Sequence, residues 1–193
     1  MYHQLYQYLD QNKLLSNFQS SFRKSFSTET AVTFLTDNIR RNMDIGLLIG
    51  AIYIDLKKAF DTIDHNLLLA KLGRYGIDSQ SLKWIDSYLK GGHERVGIDG
   101  VLSSPAIIQS SVPQGSIMGP LLFILYINNV PVCINFSKVM LYANDTILYY
   151  AAKTGAELEL ILSLDLNNVA MWMTQNELFL NNKKTEYVIY GTR

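Results

Sequence analysis

The sequence predicts an α+β fold, with helices packed on one face of a largely antiparallel sheet. Three observations lead there. The short apolar run from Gly50 to Leu56, with Asp55 near its end, has the composition of a central strand buried on both faces. Two β-prone stretches turn through polar pairs, at Asp99-Gly100 and at Asn144-Asp145, and read as hairpins. The segments between them carry apolar residues at helical spacing. Strands and helices in this order suit a split βαβ arrangement.

In chain order, Met1 to Leu15 can form a helix. Thr28 to Asn42 form a second, with Thr28 as N-cap and Ala31, Phe34, Leu35 and Ile39 on its apolar face. After the Gly50 strand, helical spacing resumes from His65 to Leu72. Ser79 to Leu89 follows as a capped helix with Leu82, Ile85 and Leu89 inward, stopped by Gly91-Gly92. Arg95 to Ile98 and Val101 to Ile108 flank the first hairpin turn. Ser116 to Asn128 is a helix behind the loop Pro113-Gln114-Gly115. Val139 to Tyr142 and Thr146 to Tyr150 form the acidic hairpin. Ala156 to Met173 is a long helix with Leu158, Ile161, Leu162, Val169 and Trp172 in one stripe. Leu178 to Leu180 and Glu186 to Tyr190 read as a last hairpin turning through Asn181 to Lys184.

At 193 residues the chain suits one domain with a real core, and no repeat, linker or low-complexity tract divides it. Apolar residues make up 48% and aromatics 11%, while Lys plus Arg and Asp plus Glu are equal at 17 each. That balance excludes a disordered or strongly basic protein, so any case for nucleic-acid binding must come from site chemistry. Cys133 is the single cysteine, so it has no disulfide partner and no zinc cluster, which suits a reducing, intracellular setting. Met1 to Asp10 lacks the pattern of a secretory signal. The longest apolar run, Leu121 to Ile127, is far shorter than the roughly 20 residues of a membrane span, so no membrane partner is expected.

Two positions carry candidate chemistry. Asp55, at the end of a buried strand, either is, with Asp61, a candidate cap of the following helix or holds a hard cation such as Mg²⁺, which takes oxygen ligands. Asn144-Asp145, at a tight turn between apolar strands, is either an ordinary surface turn or a second carboxylate converging on the first. Convergence of two carboxylates is what two-metal phosphoryl chemistry requires.

Five ordered motifs decide between these alternatives. Phe22-Arg23-Lys24 with Ser27-Thr28-Glu29-Thr30-Ala31, Asp55 to His65, Val112-Pro113-Gln114-Gly115-Ser116 with Gly119-Pro120-Leu121, Tyr142 to Thr146, and Leu180-Asn181 with Lys183-Lys184-Thr185 follow one another along the chain. Together they resemble the reverse transcriptases of LINE-type, non-LTR retrotransposons, whose fingers segment and motifs A to D read F-R-K-G-x-S-T-E-T-A, D-L-x-K-A-F-D-T-V-x-H, V-P-Q-G-S-x-L-G-P-L, Y-A-D-D and L-N-x-x-K-T. The resemblance implies a polymerase palm with part of the fingers, the fingers remnant at about 1–48 and the palm at about 49–193. The thumb, primer grip and endonuclease are expected to lie outside the chain. It implies an RNA template, a DNA primer and deoxynucleoside triphosphates as partners, two Mg²⁺ ions as cofactors, and a location in cytoplasm or nucleus.

Residue by residue, the resemblance makes Asp55 a ligand of both ions, with the Leu56 carbonyl and Asp145 as further metal ligands. Phe60 becomes the aromatic gate beneath the nucleotide sugar, with a core Phe as the other reading. Gln114 and Gly115 become nucleotide contacts, and Lys184 either the proton donor to the leaving pyrophosphate or a solvated turn lysine. Arg23 and Lys24 become contacts to nucleic-acid phosphates.

The sequence departs from the family at motif C, where Asn144 stands in place of the first acid. Asn keeps the shape and removes a charge beside two dications. One unit-charge interaction at about 4 Å and an effective dielectric near 20 is on the order of 4 kcal/mol. Ser111 replaces the usual Gly before V-P-Q-G, and Asn129 replaces an Asp. The sequence therefore reads as an RNA-directed DNA polymerase domain impaired at Asn144. The alternative is a catalytically dead retrotransposon remnant that at most binds nucleic acid.

Overall fold

The computed structural model describes the whole chain apart from Ile108, Gln109, Gln114, Thr192 and Arg193, and describes only the backbone of His93, Glu94 and Ile107. In chain order the elements are α1 (Tyr2–Gln11), α2 (Thr28–Asp44), β1 (Leu48–Ile54), α3 (His65–Arg74) and α4 (Ser79–Lys90). Four two-residue strands follow, β2 (His93–Glu94), β3 (Gly97–Ile98), β4 (Val101–Leu102) and β5 (Ala106–Ile107). Then come α5 (Gly119–Ile127), a 3₁₀ turn (Val130–Cys133), β6 (Lys138–Tyr142), β7 (Asp145–Ala152), α6 (Gly155–Gln175) and β8 (Glu186–Tyr190). They form two compact units, one of Met1–Leu14 with Phe60–Tyr126, the other of Leu15–Ala59 with Ile127–Arg193.

The second unit holds a four-stranded sheet in the order β6-β7-β1-β8, with every neighbouring pair antiparallel. β1 and β6 therefore run parallel with β7 inserted between them, which is a split βαβ arrangement. The α+β class and the antiparallel order agree with the sequence reading, but helices cover both faces of the sheet rather than one. Successive residues of a strand face opposite ways, and β1 is apolar on both sides, so each face needs a cover. Ala31, Leu35 and Ile39 of α2 pack on Ile49, Ala51, Met140 and Tyr149. On the opposite face α6 lies so close that a Cβ added at Gly50 would come within 2.6 Å of Leu162 Cδ1.

The N-cap of α2 lies one residue before the expected Thr28, which is instead the first residue of the helix. Ser27 is the N-cap, its hydroxyl accepting from the Thr30 N–H while Thr30 Oγ1 accepts from the Ser27 N–H. Both flanking residues are hydroxylic, so composition alone did not distinguish Ser27 from Thr28. Phe34, expected on the buried face, is 59% exposed.

Helix α6 carries a feature that its apolar stripe concealed. Asp165 is fully buried, and its carboxylate accepts the backbone N–H groups of Asn135, Phe136 and Ser137 at 2.9, 3.0 and 2.6 Å. These residues lead into β6. The expected last hairpin is also absent: β8 pairs with β1, while Leu180 bridges to Leu56. The open edge of β1 is the stronger partner, because it offers β8 a five-residue ladder from Ile49↔Tyr190 to Tyr53↔Glu186.

The first unit is helical, with two short ladders. Leu68 and Leu72 of α3 and Ile85 and Leu89 of α4 are buried, and Asp78 caps α4 through the N–H groups of Gln80 and Ser81. The Asp99-Gly100 turn is formed as expected, both residues having positive φ, 49° and 80°, although the strands it joins are only two residues long. Helix α5 begins at Gly119, not Ser116, and is buried on all sides from Leu121 to Ile127, which suits a helix apolar all round. Lys71 of α3 donates to the carbonyl of Tyr126 near the end of that helix, with Nζ 4.5 Å from the Tyr126 ring centroid. Burial, aided by the charge of Arg74, lowers the Lys71 pKa to about 7. No described helix is long and apolar enough to cross a membrane.

Candidate active site

The site forms where β1 ends. The β1–β7 register runs from Leu48↔Ala152 to Ile54↔Thr146, and one further step sets Asp55 opposite Asp145. Both line a cavity of about 470 Å³ together with Tyr53, Thr146, Lys183, Lys184 and Glu186. Burial raises the pKa of the Asp145 carboxyl, and the neighbouring charge of Asp55 raises it further. Two carboxylates from distant parts of the sequence thus repel each other in one cleft.

The turn beside them is Ala143-Asn144, with Asp145 already the first residue of β7, paired with Tyr142. The expected turn pair was one residue later. Asn144 lies at the tip, its Nδ2 donating to Asp145 Oδ1 at a long 3.4 Å. Ala143 adopts φ 53°, in the left-handed region that favours glycine. The turn is held from outside: the Ala143 N–H donates to Ser21 Oγ at 2.6 Å and to Gln19 Oε1 at 3.3 Å. Gln19 and Ser21 are themselves buried and bonded to each other.

A second segment grips Asp55. The Asn181 N–H donates to the Asp55 carbonyl at 2.8 Å, Asn181 Nδ2 donates to Asp55 Oδ2 at 2.7 Å, and the Asp55 N–H reaches Thr185 Oγ1 at 3.4 Å. The Lys57 N–H donates to the Phe179 carbonyl, completing the Leu56↔Leu180 bridge. In an antiparallel bridge of this pattern the bridged residue's own carbonyl faces away from its partner, so the pairing does not consume the Leu56 carbonyl. Asn181 also accepts from the N–H groups of Lys184 and Thr185, which closes the turn that brings Lys184 to the cavity.

The sequence alone marks no role for Gln19, Ser21, Asn181 or Thr185. Asn181 and Thr185 lie within a recognised motif. The contacts of all four span more than 120 residues of sequence, which no local pattern reveals.

Arg23 is largely committed to its own loop. Its Nη1 donates to the carbonyls of Ser16 and Gln19, its guanidinium carbon lies 4.6 Å from the Phe26 ring centroid, and its Nε is buried without a hydrogen-bond partner. Lys24 is exposed.

Phe60 and Gly115 belong to the first unit. Phe60 stacks on the buried Phe123 with centroids 4.3 Å apart, and its carbonyl accepts from the Val112 N–H. Gly115 has φ 76° and open space around its Cα, so its conformation rather than crowding calls for glycine. Gln114 lies outside the described residues.

A split βαβ sheet with an acid at the end of its central strand and an acidic hairpin beside it is a polymerase palm. The chain belongs to the reverse transcriptase (RNA-dependent DNA polymerase) family, whose model matches residues 1–191. It is 29% identical over 191 residues to the probable RNA-directed DNA polymerase from transposon BS of Drosophila melanogaster, covering 92% of this chain and 20% of that protein. It is 25% identical to the RNA-directed DNA polymerase from mobile element jockey of the same fly, covering 95% and 21%. The chain thus spans about a fifth of these relatives. Among solved structures, telomerase from Candida albicans in complex with a telomeric RNA fragment superposes with a TM-score of 0.73 at 13% identity, covering 97% of this chain and 35% of that one. Apo telomerase from Candida tropicalis truncated from its C-terminal domain gives 0.66 at 14%, covering 100% and 40%. These likenesses share the fold. Members of this family copy a nucleic-acid template and use divalent metal ions.

Proposed function

We propose that the chain is a fingers segment and the palm, about 1–48 and 49–193, of an RNA-directed DNA polymerase whose metal site is weakened by Asn144. The observation that carries this reading is the juxtaposition of Asp55 and Asp145 in one cleft, with Asn144 at the adjoining tip.

The donors fit a hard divalent cation, since all are oxygens and the mutual repulsion of the two carboxylates is relieved by positive charge between them. A pair of ions is less well served. Among the described residues no group of three or more His, Cys, Asp or Glu is placed to hold a metal, and Asn144 offers a neutral oxygen where a third acid is expected. Two Mg²⁺ ions, when bound, supply activation of the primer 3′-hydroxyl and neutralise charge on the transferring phosphoryl group.

The remaining roles belong to the chain. Asp55 and Asp145 anchor the cations, with the Leu56 carbonyl as an additional oxygen. Lys184 holds a proton at Nζ beside the departing pyrophosphate. Phe60, Gln114 and Gly115 contact the deoxynucleoside triphosphate. Lys24, and Arg23 through what its loop leaves available, contact the phosphates of the RNA template or DNA primer.

The experiment is Mn²⁺ titration of the chain, of Asp55→Asn, and of Asn144→Asp. The reading expects Asp55→Asn to abolish binding and Asn144→Asp to tighten it about tenfold or more. Binding indifferent to both substitutions refutes it. A second reading, a palm that retains nucleic-acid binding without polymerisation, is favoured by Asn144 itself. Tight Mn²⁺ binding by the unsubstituted chain counts against it.

A further inference from the structure

Asn181 holds Asp55 at two points. Its backbone N–H donates to the Asp55 carbonyl at 2.8 Å and its side-chain amide donates to Asp55 Oδ2 at 2.7 Å. Asp55 lies one residue beyond the last residue of β1, where the strand ladder no longer fixes it. Its carboxylate also faces the like charge of Asp145. A free carboxylate in that position turns about its side-chain bonds and swings away from its neighbour. The amide prevents this without adding charge, and it occupies one oxygen only. Oδ1 has no hydrogen-bond partner among the described residues.

The same residue organises the other side of the cleft. The carbonyl of Asn181 accepts from the N–H groups of Lys184 and Thr185, both at 2.9 Å, so one residue closes the turn that brings Lys184 to the cavity and fastens that turn to Asp55. We propose that Asn181 is a positioning residue of the site, orienting the Asp55 carboxylate for a divalent cation through its side chain and fixing the Lys184 turn through its backbone. The inference rests on the reading of Asp55 as a metal ligand. Partners that orient a metal ligand typically change affinity by about 10- to 100-fold when removed.

The test is Mn²⁺ affinity by electron paramagnetic resonance of the free ion, on the 193-residue chain and in the Asn144→Asp background, with thermal midpoints measured alongside. Asn181→Ala keeps the backbone bonds and loses the side-chain bond, and its affinity is expected to fall about 10-fold. Asn181→Gln keeps an amide donor and recovers part of that loss at an equal thermal midpoint, which a merely structural role does not produce. If Asn181→Ala unfolds, Asn181→Leu, which keeps the backbone bonds and approximate size but lacks the amide donor, decides: affinity equal to the parent's then overturns the inference. If Asp55→Asn abolishes binding while Asn181→Ala leaves it unchanged, this inference alone falls. If Asp55→Asn has no effect, or neither background binds Mn²⁺, the metal reading falls and takes the inference with it.

Discussion

Asp165 and Ser137 meet at 2.6 Å, a buried carboxylate on a helix accepting the backbone N–H just before a strand, with the N–H groups of Asn135 and Phe136 beside it. Burial works to raise the Asp165 pKa, but the three N–H donors outweigh it and hold the carboxyl below its usual 3.8. A folded value below the unfolded one means that the stabilisation is complete well above pH 3.8 and is lost as pH falls through the depressed folded value. Asp165→Asn replaces one acceptor oxygen by a donor and is expected to cost about 2–3 kcal/mol at pH 7 by urea unfolding. The gap between the two chains is expected to narrow steadily below pH 4. A gap that does not change with pH contradicts this account.

Gly50 and Leu162 define how closely α6 approaches the sheet. Leu162 is buried, so its methyl cannot swing into solvent to make room for a new Cβ 2.6 Å away. Gly50→Ala is expected to destabilise by about 1–3 kcal/mol through overpacking. Adding Leu162→Ala should restore part of that loss, so the double variant is expected to be more stable than the sum of the single changes predicts. Strict additivity in chemical denaturation refutes the close approach.

Lys71 titrates near neutrality because its ammonium is buried, its folded value being about 7 against an ordinary 10.5. Between those values the unfolded chain binds more protons than the folded one, so this group makes stability rise with pH from about 7 to 10.5. Lys71→Met, which cannot titrate, is expected to lack that rise. Its stability relative to the parent is therefore greatest at pH 6 and declines toward pH 9. Parallel stability curves for the two chains contradict the burial argument.

The fold was largely legible because hydrophobic spacing is local. The long stripe from Leu158 to Trp172 and the apolar run into Asp55 marked α6 and β1 to within a few residues. What escaped depended on distant partners. Adjacency in sequence favours Leu178–Leu180 as the partner of Glu186 to Tyr190, whereas the strand pairs with β1 across more than a hundred residues. Nothing near Asp165 in the sequence announces that three consecutive amides come to it. The ordered motifs made Asp55, Asn144, Asp145 and Lys184 legible as candidates. The network around them, Gln19 and Ser21 on Ala143 and Asn181 on Asp55, is a property of the folded chain.

The most direct measurement of the central claim is primer extension on a primed RNA template, with the chain set in place of the corresponding segment of a related polymerase and compared with Asn144→Asp in the same setting. The account predicts that the chain with Asn144 extends at least about 100-fold more slowly than Asn144→Asp, as the loss of some 3 kcal/mol beside the cations requires. Equal extension by both contradicts the claim that Asn144 weakens the site.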